Sequence, residues 1–332
     1  MAGALVASVA GTTLSYRAAA SGSGTTWHFA VNGNFDNAGN FAPGADGFTL
    51  ADVGTSASQT DGLPAGVEGL VYIGSCSGAD SSFTSAIAPL IGNPKVFGFY
   101  LVDEPDPTGQ YHPLCTAANL KAESDWIHTH DPGPKTFITL MNMAGSDSPS
   151  FAGTYTPTNS GVDLYGVDPY PCRTELTSCD FAMINRYVTA VEAAGVPEAD
   201  IVPVFQAFGG GSYPDDGGGH YRLPTVAEEG QILSTWAPLI PSPVFDYAYS
   251  WGSQSGDTAL SGSPALQQVF AAHNAAGPPP TSTSSSVPPT STSSSVPPTS
   301  TSSSVPPTST SSSVPPTSTS SSVPPTSTSS SV

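Results

Sequence analysis

The chain has 332 residues, with 7 basic and 26 acidic side chains and a formal net charge of −19, all of it carried before Gly277. Such a charge disfavours binding to nucleic acid or to anionic membranes, so we expect no nucleic-acid partner. No run of about 18 apolar residues occurs, so no membrane span is expected.

The first 25 residues resemble part of a secretory signal peptide. Residues 2–10 are small and apolar, and residues 17–20 end in an Ala-x-Ala pattern. The basic segment that normally begins such a signal is missing, so we expect the true start to lie upstream or to be mis-assigned. We therefore predict a secreted, extracellular protein in which residues 1–25 are a partial signal or a disordered N-terminus.

Eight short segments rich in β-branched and aromatic residues follow, and helical segments separate most of them. Eight such units in about 250 residues favour a closed barrel over an open sheet. The predicted fold class is α/β, a single (β/α)8 TIM barrel over residues 26–276. The predicted strands are 26–32, 48–53, 69–74, 96–104, 135–142, 162–168, 201–208 and 245–251.

Several helix boundaries can also be predicted. Thr116 is the expected N-cap of a helix that ends at His130, and Asp180 is the expected N-cap of the next long helix. Thr225 and Glu228 form a capping box, and a last helix is predicted over residues 263–274. The glycine-rich phosphate-binding motifs of nucleotide folds are absent from the sequence, and we expect neither a cofactor nor a metal.

The stretch 96–107 places acidic residues at the end of a buried strand. An apolar, aromatic-rich run leads to Asp103 and Glu104, and Pro105 stops the strand. Alternation of side chains along a strand puts Glu104 on the same face as Tyr100 and puts Asp103 on the opposite face, toward the helices. The carboxyl ends of parallel strands carry the chemistry in α/β barrels, so Glu104 is the first catalytic candidate.

The chain contains four cysteines. Their even number and the predicted export favour two disulfides, Cys172 with Cys179 and Cys76 with Cys115. A four-sulfur zinc site is the alternative, but the paired C-x-x-C spacing is missing. Cys76 also lies in a Gly-Ser-Cys-Ser-Gly turn that resembles a nucleophile elbow, which leaves a hydrolase of another bond, such as an ester, as a weaker hypothesis.

From Thr281 onward the sequence repeats Thr-Ser-Thr-Ser-Ser-Ser-Val-Pro-Pro and ends within the sixth copy. A segment of this composition cannot bury a core, and we interpret residues 277–332 as an extended, O-glycosylated linker without fixed structure. Linkers of this kind commonly join secreted catalytic domains to binding modules. We expect a monomer that was tethered to a further module beyond the linker.

In a barrel, polar residues at the strand ends meet at one mouth. Carboxylates and amides hydrogen-bond sugar hydroxyls, and aromatic faces stack on sugar rings. Tyr100 and Tyr249 are additional candidates, with core packing as the alternative, and Trp251 is either a sugar subsite or core. The predicted mouth residues are Asn32, Asp52, Glu104, Asn142, Asp168, Tyr170, Gln206 and Trp251.

The ordered motifs resemble a large clan of barrel glycoside hydrolases. In that clan the acid/base Glu ends the fourth strand, often as Asn-Glu-Pro, and the match here is Asp103-Glu104-Pro105. The Asp168-Pro169-Tyr170-Pro171 turn, the Gln206-Ala207-Phe208-Gly209 strand end and Trp251 are similar as well. The resemblance covers roughly residues 27–273 and implies a glycoside hydrolase with Glu104 as general acid.

One position departs from that clan. Its nucleophile is a Glu at the end of the seventh strand, where this chain has Gln206, and Gln cannot be a nucleophile. Asp168 is then the best-placed second carboxylate, although an Asp-Pro pair is also a common turn starter. Alternatively, a substrate acetamido group acts as nucleophile, or the domain binds glycans at a cell surface without cutting them. The expected partner is a polysaccharide in each case.

Overall fold

The computed structural model describes residues 26–213 and 218–276, which form a closed barrel of eight parallel strands. The strands pair in chain order, and β8 pairs with β1 to close the barrel. The predicted signal segment 1–25 and the predicted linker 277–332 lie outside the described residues. The strands are β1 (Trp27–Ala30), β2 (Leu50–Val53), β3 (Glu68–Tyr72), β4 (Val96–Val102), β5 (Lys135–Thr139), β6 (Leu164–Val167), β7 (Ile201–Gln206) and β8 (Phe245–Tyr249).

In the described part of the chain, seven α-helices surround the strands, and the predicted TIM-barrel class is confirmed. A short 3-10 turn over Pro43–Asp46 takes the place of a helix between β1 and β2. Further 3-10 turns cover Ala88–Leu90, Glu198–Asp200 and Leu260–Gly262. The helices are α1 (Ala57–Asp61), α2 (Ser81–Ile87), α3 (Ala117–His130), α4 (Pro157–Ser160), α5 (Ala182–Ala194), α6 (Val226–Trp236) and α7 (Pro264–Ala275).

The predicted helix boundaries are mostly confirmed. The Thr116 hydroxyl accepts a hydrogen bond from the backbone N–H of Asn119, and Thr225 forms the expected capping box at the start of α6. The exception is Asp180, because Phe181 is the N-cap of α5. The Asp180 carboxylate lies 2.6 Å from the Arg186 guanidinium, and it also accepts a hydrogen bond from the backbone N–H of Met183 in the first turn of α5.

The core has an inner and an outer layer, as alternation along buried strands requires. Phe29, Leu50 and Tyr247 point into the barrel and pack with other inner residues. Phe99 and Ile138 point outward and pack in the larger cluster that includes residues of the surrounding helices. This filled interior makes the barrel a rigid support for the loops at its ends.

A polar clamp joins the first and last elements of the barrel. Asp246 of β8 is buried, and its two carboxylate oxygens each lie 2.8 Å from a histidine nitrogen, one from His28 of β1 and one from His273 of α7. These two hydrogen bonds hold the pKa of Asp246 below its usual range against the opposing effect of burial. The clamp fixes α7 against the seam where the barrel closes.

Both predicted disulfides are present, Cys76–Cys115 and Cys172–Cys179. The first joins the loop after β3 to the loop after β4, and the second closes the loop between β6 and α5. Because Cys76 is bonded to Cys115, it has no free thiol, and the hypothesis of a cysteine nucleophile in the Gly-Ser-Cys-Ser-Gly turn is wrong.

Among the described residues, no helix is both long and apolar enough to cross a bilayer.

Candidate active site

A cavity of 310 Å³ opens at the carboxyl end of the barrel. Its walls come from residues at or after the ends of β4, β5, β6, β7 and β8, which is where barrel folds carry their chemistry. The lining is rich in carboxylates and tyrosines. It consists of Asp103, Glu104, His112, Thr139, Met141, Asn142, Asp168, Tyr170, Met183, Tyr187, Tyr213, Tyr221, Tyr247 and Tyr249.

A bulge in β4 brings Asp103 into this cavity. The pairing of β4 with β5 shifts register between Tyr100 and Val102, and Leu101 and Val102 both pack toward the outer cluster. Strict alternation would have turned Asp103 toward the helices, and that prediction is wrong. The inserted residue reverses the direction in which Asp103 points, and bulges commonly redirect a side chain in this way beside functional sites.

Two hydroxyl groups from the barrel strands hold the Asp103 carboxylate in place. The Tyr100 hydroxyl donates to Oδ1 of Asp103 and also contacts the Thr139 hydroxyl. Protein atoms surround the carboxylate on most sides, yet solvent reaches it through the open cavity. Burial raises the pKa of Asp103, and the hydrogen bonds from Tyr100 and Thr139 act in the opposite direction.

Glu104 follows in an unusual backbone conformation. Its φ is 40°, in the left-handed region that residues with a Cβ atom seldom adopt. Such a conformation persists where the surroundings enforce it, and it is frequent at functional sites. Here it directs the chain away from β4 while the Glu104 side chain lines the cavity.

Asp168, just after β6, completes a group of three carboxyls. Burial raises its pKa well above the usual range, and the negative charges of Glu104 and Asp103 raise it further. A hydrogen bond from Tyr170 opposes this shift. Carboxyl groups that interact in this way titrate as a set, and the ionised form of one raises the pKa of the others.

Tyrosines form the wall of the cavity opposite β4. Four of them pack on the fully buried ring of Phe208, with centroid distances of 5.1–5.3 Å. Burial raises the pKa of Tyr170, so its hydroxyl stays protonated and can donate a hydrogen bond. The wall therefore combines fixed aromatic faces with hydroxyl groups. The four are Tyr170, Tyr213, Tyr221 and Tyr249.

The loop between β4 and α3 carries His112 into the cavity. Buried Asp106 organises this loop by accepting hydrogen bonds from the N–H and hydroxyl of Thr108 and from the N–H groups of Tyr111 and His112. The Cys76–Cys115 disulfide anchors the far end of the loop. His112 is the one basic side chain among the described residues that line the cavity.

Five of the predicted site residues do line the cavity: Glu104, Asn142, Asp168, Tyr170 and Tyr249. The side chain of Asn142 forms most of its hydrogen bonds within its own loop. Its amide nitrogen donates to the carbonyl of Ala144 at 2.7 Å. Its amide oxygen accepts from the backbone N–H groups of Ala144 and Ser150. Asn142 thus shapes the cavity rim through the β5–α4 loop.

Gln206 does not reach the cavity. Gln206 is fully buried. Its amide oxygen accepts a hydrogen bond from the N–H of Cys172 at 2.8 Å, and its amide nitrogen donates to the C=O of Cys172 at 2.9 Å and to the C=O of Arg222. Because these hydrogen-bond partners are backbone groups, the Gln206 amide holds the loop after β6 in place. The prediction of a sugar-hydroxyl ligand does not fit this position.

Tyr100 and Trp251 belong to the core. Tyr100 lies in the inner layer with its hydroxyl under Asp103, and Trp251 packs outside the barrel, 6.3 Å from the ring of Phe48. Both are almost fully buried. A substrate in the cavity would meet neither ring, so core packing, the alternative given for each, describes their environment.

Asn32 and Asp52 lie beside the cavity without lining it. The backbone N–H of Asn32 donates to Oδ2 of Asp52 at 3.0 Å, and the Asn32 side chain lies near the hydroxyl of Tyr249. Burial raises the pKa of Asp52. The two residues support the cavity wall near Tyr249.

Sequence reasoning missed two kinds of site residue. Thr139 and Tyr247 are on predicted strands and could have been found by assigning inward faces. His112, Tyr213 and Tyr221 come from long loops with no periodic pattern, and nothing local in the sequence places them at the mouth.

Two groups of described residues bring potential metal ligands within 4.8 Å of one another, and neither lines the cavity. One is the clamp of Asp246 with His28 and His273, whose carboxylate oxygens already accept hydrogen bonds. The other contains Cys172 and Cys179, whose sulfurs are joined in a disulfide and cannot act as thiolates.

No protein-family model and no curated protein matches the chain. Solved structures that are similar to it include a chitinase-like agglutinin from Robinia pseudoacacia, 12% identical, which covers 76% of this chain and 99% of that one with a TM-score of 0.46. A class V chitinase from Nicotiana tobaccum is 12% identical over 75% and 98% of the two chains, with a TM-score of 0.46. The C-terminal domain of a chitinase from Desulfitobacterium hafniense is also 12% identical, over 70% and 92%, with a TM-score of 0.44.

These three structures are those of two chitinases and a chitinase-like agglutinin. Similarity of this degree assigns neither a residue role nor a substrate to the chain.

Proposed function

We propose that this protein is a secreted glycoside hydrolase that cleaves a polysaccharide in the cavity at the barrel mouth. The observation that carries the proposal is the pair of carboxyls, Glu104 and Asp168, which interact electrostatically inside a cavity walled by tyrosines. Glycoside cleavage needs one protonated and one ionised carboxyl on either side of the bond. The two disulfides are typical of proteins from oxidising compartments and support the assignment to the outside of the cell.

Two assignments of the catalytic roles are compatible with this pair. Glu104 was the acid predicted from sequence, with Asp168 or a substrate acetamido group as the second catalytic group. The raised pKa of Asp168 favours the reverse arrangement in the free protein, with Asp168 as the proton donor and Glu104 ionised. Both arrangements need one protonated carboxyl when the glycosidic bond is cleaved.

Single substitutions test the proposal. We expect Glu104→Gln and Asp168→Asn each to lower the release of reducing ends from a susceptible glycan by roughly 10²- to 10⁴-fold, the usual contribution of a general acid or base. The matched controls are Asp125→Asn and Glu192→Gln, which remove the same charges at exposed helix positions. Full activity in both cavity variants would overturn the proposal.

The same variants separate the remaining alternatives. If Asp168→Asn keeps its activity on N-acetylated substrates alone, the substrate acetamido group acts as the second catalytic group. If the wild-type protein binds glycans and shows no turnover across a broad panel, the domain is a carbohydrate-binding or cell-surface protein.

A further inference from the structure

The cavity contains one carboxylate more than the proposed reaction uses. Cleavage needs two carboxyl groups, and Glu104 and Asp168 supply them. Asp103 is the third, and its negative charge raises the pKa values of Asp168 and Tyr170. The charge of Asp103 therefore disfavours the ionised forms of Asp168 and Tyr170. A positively charged ligand group would reverse this effect.

Among the described residues, one base offsets the charge of Asp103. That base is His112, which lines the cavity without forming an ion pair with Asp103, and every described Lys and Arg is engaged elsewhere. The guanidinium of Arg173 donates to the carbonyl of Tyr170, and Lys95 donates to the carbonyls of Asp61 and Leu63. The others lie within 4 Å of a carboxylate outside the cavity lining: Lys121 with Asp125, Lys135 with Asp163, Arg186 with Asp180 and Arg222 with Glu228.

Asp103 is also fixed in position. The Tyr100 hydroxyl donates to it from below, and the fully buried ring of Tyr100 cannot turn away. The exposed part of the carboxylate faces the cavity, opposite the tyrosine wall. An oriented carboxylate across from aromatic faces can bind a ligand that has a cationic group on one side and a ring face on the other.

We propose that Asp103 binds a primary ammonium group of the substrate, so that the preferred glycan contains amino sugars without N-acetylation. This inference rests on the proposed function, because it takes the ligand of the cavity to be a glycan. It also fits the net charge of −19, which would attract a polycationic chain and repel uronic or sulfated polysaccharides.

The test is a binding measurement, which does not depend on turnover. β-1,4-linked tetramers of glucosamine, N-acetylglucosamine and glucose differ only at carbon 2 of each ring, and calorimetry at about pH 6 compares their affinities while the amine carries its proton. We expect the wild-type protein to bind the glucosamine tetramer at least about tenfold more tightly than the other two, the effect of one charge-assisted hydrogen bond. Added salt should reduce this preference.

The variant Asp103→Asn should lose the preference and retain its affinity for the glucose tetramer. Asn keeps an oxygen that can accept from Tyr100, and the thermal midpoint of unfolding verifies that the variant is folded. Asp125→Asn removes the same charge on an exposed face of α3 and should bind all three tetramers as the wild-type protein does.

Three results would overturn the inference. They are equal affinity of the wild-type protein for the three tetramers, a preference for the N-acetylated tetramer that Asp103→Asn abolishes, and an unchanged glucosamine preference in Asp103→Asn. None of them contradicts hydrolysis by Glu104 and Asp168. Conversely, tight binding of the glucosamine tetramer without any turnover would contradict the proposed hydrolase and leave the role of Asp103 intact.

Discussion

Glu123 on α3 shows how strongly burial perturbs the pKa of a single residue of this protein. Its side chain is fully buried, one carboxylate oxygen accepts from the N–H of Gly78 at 2.9 Å, and the other has no hydrogen-bond partner. Burial raises the pKa of Glu123 to about 7. The carboxyl is therefore a neutral acid in the folded protein under mildly acidic conditions.

We expect Glu123→Gln to stabilise the protein at high pH and to have little effect at low pH. The folded-state pKa of about 7 lies above the unfolded value of 4.5, so the unfolded state loses its proton first as the pH rises. Stability from this group is complete below about pH 4.5 and falls by about 1.4 kcal/mol per pH unit up to about pH 7, roughly 3 kcal/mol in all.

Denaturant unfolding at about pH 4.5 and about pH 8 measures the difference in the free energy of unfolding between Glu123→Gln and the wild-type protein. Gln retains an oxygen that can accept from Gly78. The exposed substitution Glu192→Gln on α5 is the control and should show no such pH dependence. A stability difference that is the same at both pH values would contradict the assignment.

At the scale of the element, the existence of each strand can be predicted from the sequence, but the residue at which it ends cannot. All eight strands were found because buried parallel strands are short, apolar and bounded by breakers. The predicted ends ran one to three residues too far in most strands, and β8 ends at Tyr249. Trp251 therefore lies in a loop that turns outward to Phe48. Asp103 enters the cavity because of a bulge, which cannot be predicted from the periodicity of the sequence.

The loop between β4 and α3 depends on Asp106 more than on any apolar contact. Its carboxylate accepts from four donors within the next six residues, and these hydrogen bonds hold the pKa of Asp106 far below its usual range. We expect Asp106→Asn to loosen the loop, since an amide NH2 group cannot accept from backbone N–H groups.

Hydrogen exchange followed by mass spectrometry measures this effect on the segment 107–113. The amide groups of Tyr111 and His112 should exchange at least about tenfold faster in Asp106→Asn, as expected when one hydrogen bond of this kind is lost. Asp36→Asn is the control, because Asp36 organises an exposed loop between β1 and β2 in the same manner. Unchanged exchange in 107–113 would mean that the disulfide at Cys115 is sufficient to hold the loop.

At the scale of the whole molecule, the acidic residues whose pKa is shifted form two sets with opposite effects on stability. Burial raises the pKa of one set, and these groups destabilise the fold as the pH rises above their unfolded values of 3.8 to 4.5. Hydrogen bonds or ion pairs lower the pKa of the other set, and these groups destabilise the fold as the pH falls below the same values. The first set includes Asp52, Asp103, Glu123, Asp168 and Glu229, and the second includes Asp163, Glu228 and Asp246.

The two sets together predict a maximum of stability at about pH 4 to 5, on the acid side of the range that is usual for globular proteins. Self-repulsion at a net charge of −19 lowers the stability further at neutral pH, because few of the carboxylates are then neutralised. Thermal unfolding midpoints between about pH 3 and pH 9 test the position of the maximum. Added salt should raise the midpoint at about pH 8 and have a smaller effect at about pH 4.5, where the net charge is lower. A maximum at or above neutral pH would show that the ion pairs and hydrogen-bonded carboxylates outweigh the buried acids.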